Sequence, residues 1–344
     1  MFRRPLAVAA ILTAALLAAS GAVAAEVTLR VHHFLSAESS VPRDFIAPWG
    51  KRLEEASGGR IAVEVYPAMQ LGGKPSSLYD QARDGVVDVV WTLAGYTPGR
   101  FPKTEVFDLP FVATDAAETS KAAWEFFDRH LRDEYADVHV LTVHVHSPGV
   151  LHVRGRTVKT LEDMKGLKLR GATRMVTKLL EGLGSVAVGM PAPAIPEALS
   201  KGVIDGAALP WEVTGSLHVA ELVDGHTTFW GRESLYTTMF LFVMNKARYD
   251  GLPDDLKKIV DDSVGAPAAA EIGRIMDAAD VPSIEIAAKR GNEIVTLDEA
   301  ETARFKAASD KVAEDWIAEM DKKGIDGRAL YDDARALIAK YATK

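Results

Sequence analysis

Apolar and polar positions alternate through residues 27–34, where Val27, Leu29, Val31 and His33 share one face. A period of two predicts a β-strand. Over 44–56 the spacing becomes helical, with Phe45, Trp49 and Leu53 on one side. Ser57-Gly58-Gly59 closes that helix, because glycine takes the left-handed C-cap conformation without steric cost. Ile61, Val63 and Val65 alternate again, 78–84 reads as a helix, and 86–91 as a short apolar strand. Strands separated by helices predict βα units and a mainly parallel sheet.

Asp115-x-x-Glu118 has the pattern of a capping box, in which side chain and backbone satisfy each other's hydrogen bonds at a helix start. Behind it Trp124, Phe127, Leu131 and Tyr135 recur at helical spacing and read as core. A strand is expected over 138–146. The alternation then restarts, with helices at 160–165, 174–183 and 196–201 and strands at 167–170 and 203–209. From Pro253 onward helical periodicity dominates, and Pro267 and Pro282 are expected to break or kink it. Ala82-Arg83-Asp84-Gly85-Val86-Val87-Asp88 is echoed by Leu199-Ser200-Lys201-Gly202-Val203-Ile204-Asp205. Both read as helix end, glycine cap and strand, each at a similar place in its own βα run. Two related α/β units would produce this.

The N-terminus bears on compartment. Arg3 and Arg4 precede an apolar run over 6–17, and small residues fill 18–25. This is the layout of a secretory signal peptide over 1–25, with cleavage expected there. The run is short for a bilayer span, which needs ~20 apolar residues. The mature chain is expected to be soluble and periplasmic. Loss of 1–25 removes two arginines and no acid, so the formal charge moves from −8 to −10. Such an acidic chain is a poor nucleic-acid partner. With no cysteine among 344 residues, disulfides, thiol catalysis and thiolate metal sites are excluded.

Enzyme signatures are missing: there is no G-x-S-x-G elbow, P-loop or H-E-x-x-H. Gly182-Leu183-Gly184 with Ala187 mimics a dinucleotide fingerprint, but it ends a helix instead of following a strand. No enzymatic activity and no cofactor are expected. His144, His146 and His152 offer an alternative reading as a metal site, without an acidic partner at useful spacing. Arg170 ends the 167–170 strand before Gly171. Ligands of open α/β sheets bind outside the carboxyl ends of strands, and a guanidinium there can hold a carboxylate through two parallel hydrogen bonds. From the residues alone it reads equally as a solvated surface arginine.

The segment Thr160-Leu161-Glu162-Asp163-Met164-Lys165-Gly166-Leu167-Lys168-Leu169-Arg170 resembles the hallmark of the substrate-binding subunit of tripartite ATP-independent periplasmic (TRAP) transporters, in the DctP-like branch. Ser57-Gly58-Gly59-Arg60, the stretch Val65-Tyr66-Pro67-Ala68-Met69-Gln70-Leu71-Gly72-Gly73, and Phe107-Asp108-Leu109-Pro110-Phe111 are similar to the same family, in order. So are Gly202-Val203-Ile204-Asp205-Gly206, Met244-Asn245-Lys246 and Leu252-Pro253. The resemblance covers nearly the whole mature chain.

It implies an α/β, two-lobed periplasmic-binding-protein-like fold with a ligand cleft between lobes. On this reading 26–146 with about 236–278 form lobe I, and 147–235 with about 279–344 form lobe II, hinged near 145–148 and 233–237. It implies a monomer that closes on a small organic acid and hands it to the TRAP membrane permease subunits. Arg170 then takes the place of the family's carboxylate-clamping arginine. A second arginine is less evident: Arg154 lies upstream, while Val150 stands at the aligned position. Leu209 stands where a polar contact is often found. These departures favour a ligand with one carboxylate and an apolar or aromatic body. Trp211, Trp91, Tyr96 and Phe34 are candidates to wall its pocket, and His33 and His146 to bond a keto or hydroxyl group. Tyr236 is a candidate cap and Gln70 a polar contact. A sensor subunit that presents ligand to a membrane receptor shares this physics.

Overall fold

The computed structural model describes residues 25–342. Its strands, in chain order, are β1 Val27–His33, β2 Ile61–Tyr66, β3 Val89–Leu93, β4 Val138–Val145, β5 Gly149–Val153, β6 Lys168–Gly171, β7 Val186–Gly189, β8 Gly206–Pro210, β9 Gly225–Thr228, β10 Met239–Asn245 and β11 Glu293–Thr296. They form two sheets, ordered β2-β1-β3-β10-β4 and β11-β9-β5-β8-β6-β7. In the first, β1 runs parallel to β2 and β3, and β10 is antiparallel to β3 and β4. In the second, β6 runs parallel to β7 and β8, and β5 is antiparallel to β8 and β9. Each sheet is thus a βα unit completed by a strand from elsewhere in the chain, which makes the fold the two-lobed α/β arrangement.

The expected elements lie close to their places. Asp115 caps the helix Ala116–Phe126 by accepting from the Glu118 N–H at 2.8 Å. Two strands start late: 86–91 becomes β3 at Val89, and 203–209 becomes β8 at Gly206. In both, a positive-φ glycine, Gly85 or Gly202, and the valine after it form the turn, leaving Val86 and Val203 exposed. The expected break falls just before Pro267, between the helices Asp254–Asp262 and Ala266–Arg290, whereas none occurs at Pro282. A single helix runs Ala266–Arg290, with Pro267 in its first turn, where a missing N–H costs nothing, and Pro282 inside. This helix packs against Ala116–Phe126 near its start and against Trp211–Thr214 farther on. That tertiary packing outweighs the local cost of the proline. Gly273 permits the first contact, since a Cβ there would stand 2.5 Å from the Ala116 carbonyl oxygen.

The chain crosses between sheets three times, from β4 to β5, from β9 to β10 and, through the helix Ala266–Arg290, from β10 to β11. The first two crossings are bonded to each other. Gly149 N–H donates to the Tyr236 carbonyl at 3.0 Å, Leu235 N–H to the Gly149 carbonyl at 3.1 Å, and Thr237 Oγ1 to the His146 carbonyl at 3.0 Å. The closing helix Gly327–Tyr341 pairs with the first-sheet side: Asp333 meets Arg129 and His130, and Lys340 meets Glu125. It also packs on the helix Glu299–Lys322. We propose the lobe boundaries above, about 279–344 in lobe II, with this closing helix assigned to lobe I.

Candidate ligand-binding site

Between the two sheets lies a narrow, nearly closed cavity of about 30 Å3, far below the ~300–1,000 Å3 usual for small-molecule sites, so a ligand ring needs the lobes to part. Phe34, Leu35, Leu93, Tyr96, His146, Thr238 and Phe240 line it from the first sheet and its loops. Arg170, Ala172, Ala192, Leu209, Pro210, Glu212 and Val213 line it from the second, and Tyr236 stands at the crossing.

Arg170 lies in β6 beside β8, with Arg170 in register with Ala207. Its Nε donates to the Met190 carbonyl at 2.9 Å and its Nη1 to the Ala208 carbonyl at 3.0 Å. A guanidinium has five N–H donors, so these bonds fix its plane and leave others turned toward the Tyr96 and Tyr236 hydroxyls. The residue is only 1 % exposed, and among the described residues no carboxylate lies within ion-pair distance of it. A buried charge without a counter-ion is costly. Burial raises the Tyr96 and Tyr236 phenols, and the Arg170 charge opposes that rise in both. The Tyr96 hydroxyl accepts from the Ala192 N–H at 3.0 Å, a bond from one sheet's side to the other's.

Three buried polar atoms on this cavity have no hydrogen-bond partner: His146 Nε2, Tyr236 OH and Thr238 Oγ1. His146 Nδ1–H donates to the Ser147 carbonyl, and burial holds the imidazole down to about 4, with Arg170 adding to the effect. The ring is therefore neutral, and Nε2 is a free acceptor. Tyr236 is held in place by Gly149, where a Cβ would meet its ring at 2.3 Å. A wider open cleft, about 590 Å3, shares Tyr96 and Ala172 with the cavity and carries Lys74, Arg174 and Lys178.

Of the residues singled out in the sequence, Arg170, Tyr96, Phe34, His146, Tyr236 and Leu209 meet here. Five do not. Trp91 lies one layer behind, its ring stacked on Phe34 at 5.4 Å and on Phe240 at 4.8 Å, with Nε1 donating to His144 Nε2 at 2.8 Å. His33 is buried edge-on to Trp91, 6.1 Å between centroids. Trp211 packs against His152 and His226 on the second sheet. Gln70 is exposed in the turn after β2. Arg154 is exposed past the end of β5, donating to the Leu199 carbonyl at 2.9 Å. Because β5 runs antiparallel to β8, its Gly149 end meets Pro210 at the cavity while its Val153 end points away.

The metal reading is not met either. His144 is bonded to Trp91 and His152 to His226, at 2.8 and 2.7 Å, on different sheets. Among the described residues no group of three His, Cys, Asp or Glu is placed to hold a metal. Sequence reasoning missed Thr238, Phe240 and Glu212. The continuous apolar run of β10 was a usable signal for Phe240; Thr238, just before it, and Glu212 gave none.

The chain matches the family model of bacterial extracellular solute-binding proteins, family 7, over residues 31–320. It is similar to the structure of a TRAP solute-binding protein from Rhodoferax ferrireducens in complex with copurified benzoate. Identity is 48 %, coverage 91 % of this chain and 98 % of that one, and the TM-score 0.90. A marine metagenome TRAP solute-binding protein specific for aromatic acid ligands, with 3-hydroxybenzoate, is 46 % identical, covering 93 % and 100 %, with a TM-score of 0.91. One from Bordetella bronchiseptica with bound mandelate is 28 % identical, covering 92 % and 99 %, with a TM-score of 0.84.

Proposed function

We propose, from the premise that this chain belongs to family 7 of the bacterial extracellular solute-binding proteins and is a TRAP solute-binding protein, that its ligand is an aromatic monocarboxylate anchored by Arg170. The observation that carries this reading is the Arg170 guanidinium, 1 % exposed and without a protein carboxylate. A ligand carboxylate supplies the missing charge and accepts two parallel N–H bonds. A single such cation in the cavity suits one carboxylate. Phe34, Phe240, Leu93, Leu209 and Val213 offer a ring apolar and aromatic walls. The benzoate, 3-hydroxybenzoate and mandelate held by similar proteins are of that class.

The basic cleft of Lys74, Arg174 and Lys178 draws the ligand carboxylate in, and the lobes close over it. The closed, monomeric complex then docks on the membrane permease subunits; the chain itself performs no reaction. Export removes 1–25, which lie almost wholly outside the described residues, so secreted protein should start near Ala25 or Glu26 by intact mass. The functional test is a thermal-shift and calorimetry series with benzoate, 3-hydroxybenzoate, mandelate and succinate. Ligand binding to the native state raises the melting temperature. The aromatic acids should raise it and succinate should not; a response to succinate alone contradicts the reading.

A further inference from the structure

We infer that Glu212 is a specificity-determining residue that accepts a hydrogen bond from a hydroxyl on the ligand's ring, so that hydroxylated aromatic monocarboxylates are preferred over the bare ring. This rests on the aromatic-acid reading above and deepens it. Glu212 lines the cavity and is 7 % exposed. Its Oε2 accepts from Ser40 Oγ at 2.8 Å. Its Oε1 has no hydrogen-bond partner among the described residues and is not sealed among the fully buried unpartnered atoms. Glu212 lines both this cavity and an outer cleft that it shares with Ser39, Ser40 and Arg43; Ser40, which lines only the cleft, holds Oε2 on that side and leaves Oε1 for the cavity.

Glu212 also stands apart from the carboxylate anchor. Arg170 acts electrostatically on His146, Tyr96 and Tyr236. The influences on Glu212 are instead its burial, Ser40 and Asp280, and no ion pair joins it to Arg170. Between the two lie the apolar side chains of Phe34, Leu209 and Val213. An anionic group held at Arg170 thus puts a ring on the apolar wall and a ring substituent within the reach of Glu212.

The protonation state fits the task. Burial, with Asp280 adding to it, pushes the carboxyl up to about 8. A neutral acid retains acceptor capacity at its carbonyl oxygen, and it does not repel the ligand's own charge. A site built to bond a ligand hydroxyl discriminates strongly, because the analogue lacking it leaves a buried polar group unpaired.

The experiment is calorimetry at pH 6.5 with benzoate, 3-hydroxybenzoate, 4-hydroxybenzoate, and 3- and 4-methylbenzoate. In the wild type, one hydroxylated acid should bind about 10-fold tighter than benzoate and than its own methyl isostere. Glu212→Leu should bring that preference below about 2-fold, and Glu212→Gln, which keeps an acceptor, should retain most of it. A wild type that binds benzoate but no hydroxylated acid more tightly than its methyl isostere overturns the role of Glu212 and leaves the aromatic-acid reading standing. So does a folded Glu212→Leu that keeps the full preference. The comparison of hydroxyl with methyl on the wild type needs no variant to fold. Failure of all five acids to bind overturns the ligand reading and this inference together.

Discussion

Ser40 donates a 2.8 Å hydrogen bond to Glu212, joining the segment after β1 in the first sheet to the helix after β8 in the second. The acceptor is a buried carboxyl pushed up to about 8, and Asp280, bonded to Ser147 at the crossing, is pushed up to about 7, both chiefly by burial. A carboxyl raised in the folded chain stabilises it below the unfolded value, and that stability is lost as pH rises through the folded value.

Buried histidines act in the opposite sense. Burial holds His33, His146 and His226 down to about 4 and His144 down to about 3. The unfolded chain takes up their protons below about pH 6.5, so stability rises with pH from about 4 to 6.5. His32, His139 and His152 are lowered by burial too, and Asp108 and Glu134 raised, so seven histidines outweigh four carboxyls there. Above that range only the carboxyls titrate, and stability declines by about 1.4 kcal/mol per pH unit for each until its folded value is reached. The unliganded melting temperature should peak between about pH 6 and 7, and Glu212→Gln should flatten the decline above the peak. A wild-type melting temperature that climbs steadily from pH 6.5 to 8 contradicts this.

Gly149→Ala should damage the site from outside it. The added Cβ would stand 2.3 Å from the Tyr236 ring and 2.7 Å from its carbonyl oxygen. Overpacking of this kind costs about 1–3 kcal/mol. Denaturant unfolding should show that loss, and calorimetry a weaker affinity for benzoate; a variant as stable as wild type would mean that the crossings yield freely.

Gln70→Ala and Arg154→Ala should leave ligand affinity within about 2-fold, since exposed substitutions away from a site change free energies by less than about 0.5 kcal/mol. A loss of 10-fold or more in either would place the ligand somewhere other than this cavity.

Ligand should draw the lobes together about the bonded crossings near 145–148 and 233–237. Small-angle scattering on protein with and without saturating ligand reads this directly. The radius of gyration should fall on binding; an unchanged value for a confirmed ligand speaks against hinge closure.

How far the sequence reached depended on the range of the interaction. Periodicity located β1, β2 and the helix Ala116–Phe126, because alternation and capping are local. It also showed which faces of β1 and β3 turn inward, but not how deep. His33 and Trp91 point inward and still end one layer behind Phe34. The β10 strand, which brings Thr238 and Phe240, enters between β3 and β4 from some hundred residues away, a pairing no local pattern specifies. Arg154 misled because direction along β5 depends on its antiparallel pairing with β8. Glu212 was silent because its setting is made by Ser40 and Asp280, distant in the chain. Arg170 was legible through the motif around it, while its bonds to Met190 and Ala208 became visible only in the fold.

The central claim is that Arg170 anchors the ligand carboxylate, and calorimetry with benzoate on wild type, Arg170→Ala and Arg170→Lys tests it most directly, with ligand-free melts alongside. Truncating one side of a buried, hydrogen-bonded charge pair costs about 2–5 kcal/mol, on the order of 30-fold to several thousand-fold in affinity. Arg170→Lys should also bind poorly, because an ammonium cannot form the planar fork while donating to Met190 and Ala208. Both variants should remain folded. Benzoate bound by folded Arg170→Ala as tightly as by wild type would contradict the account.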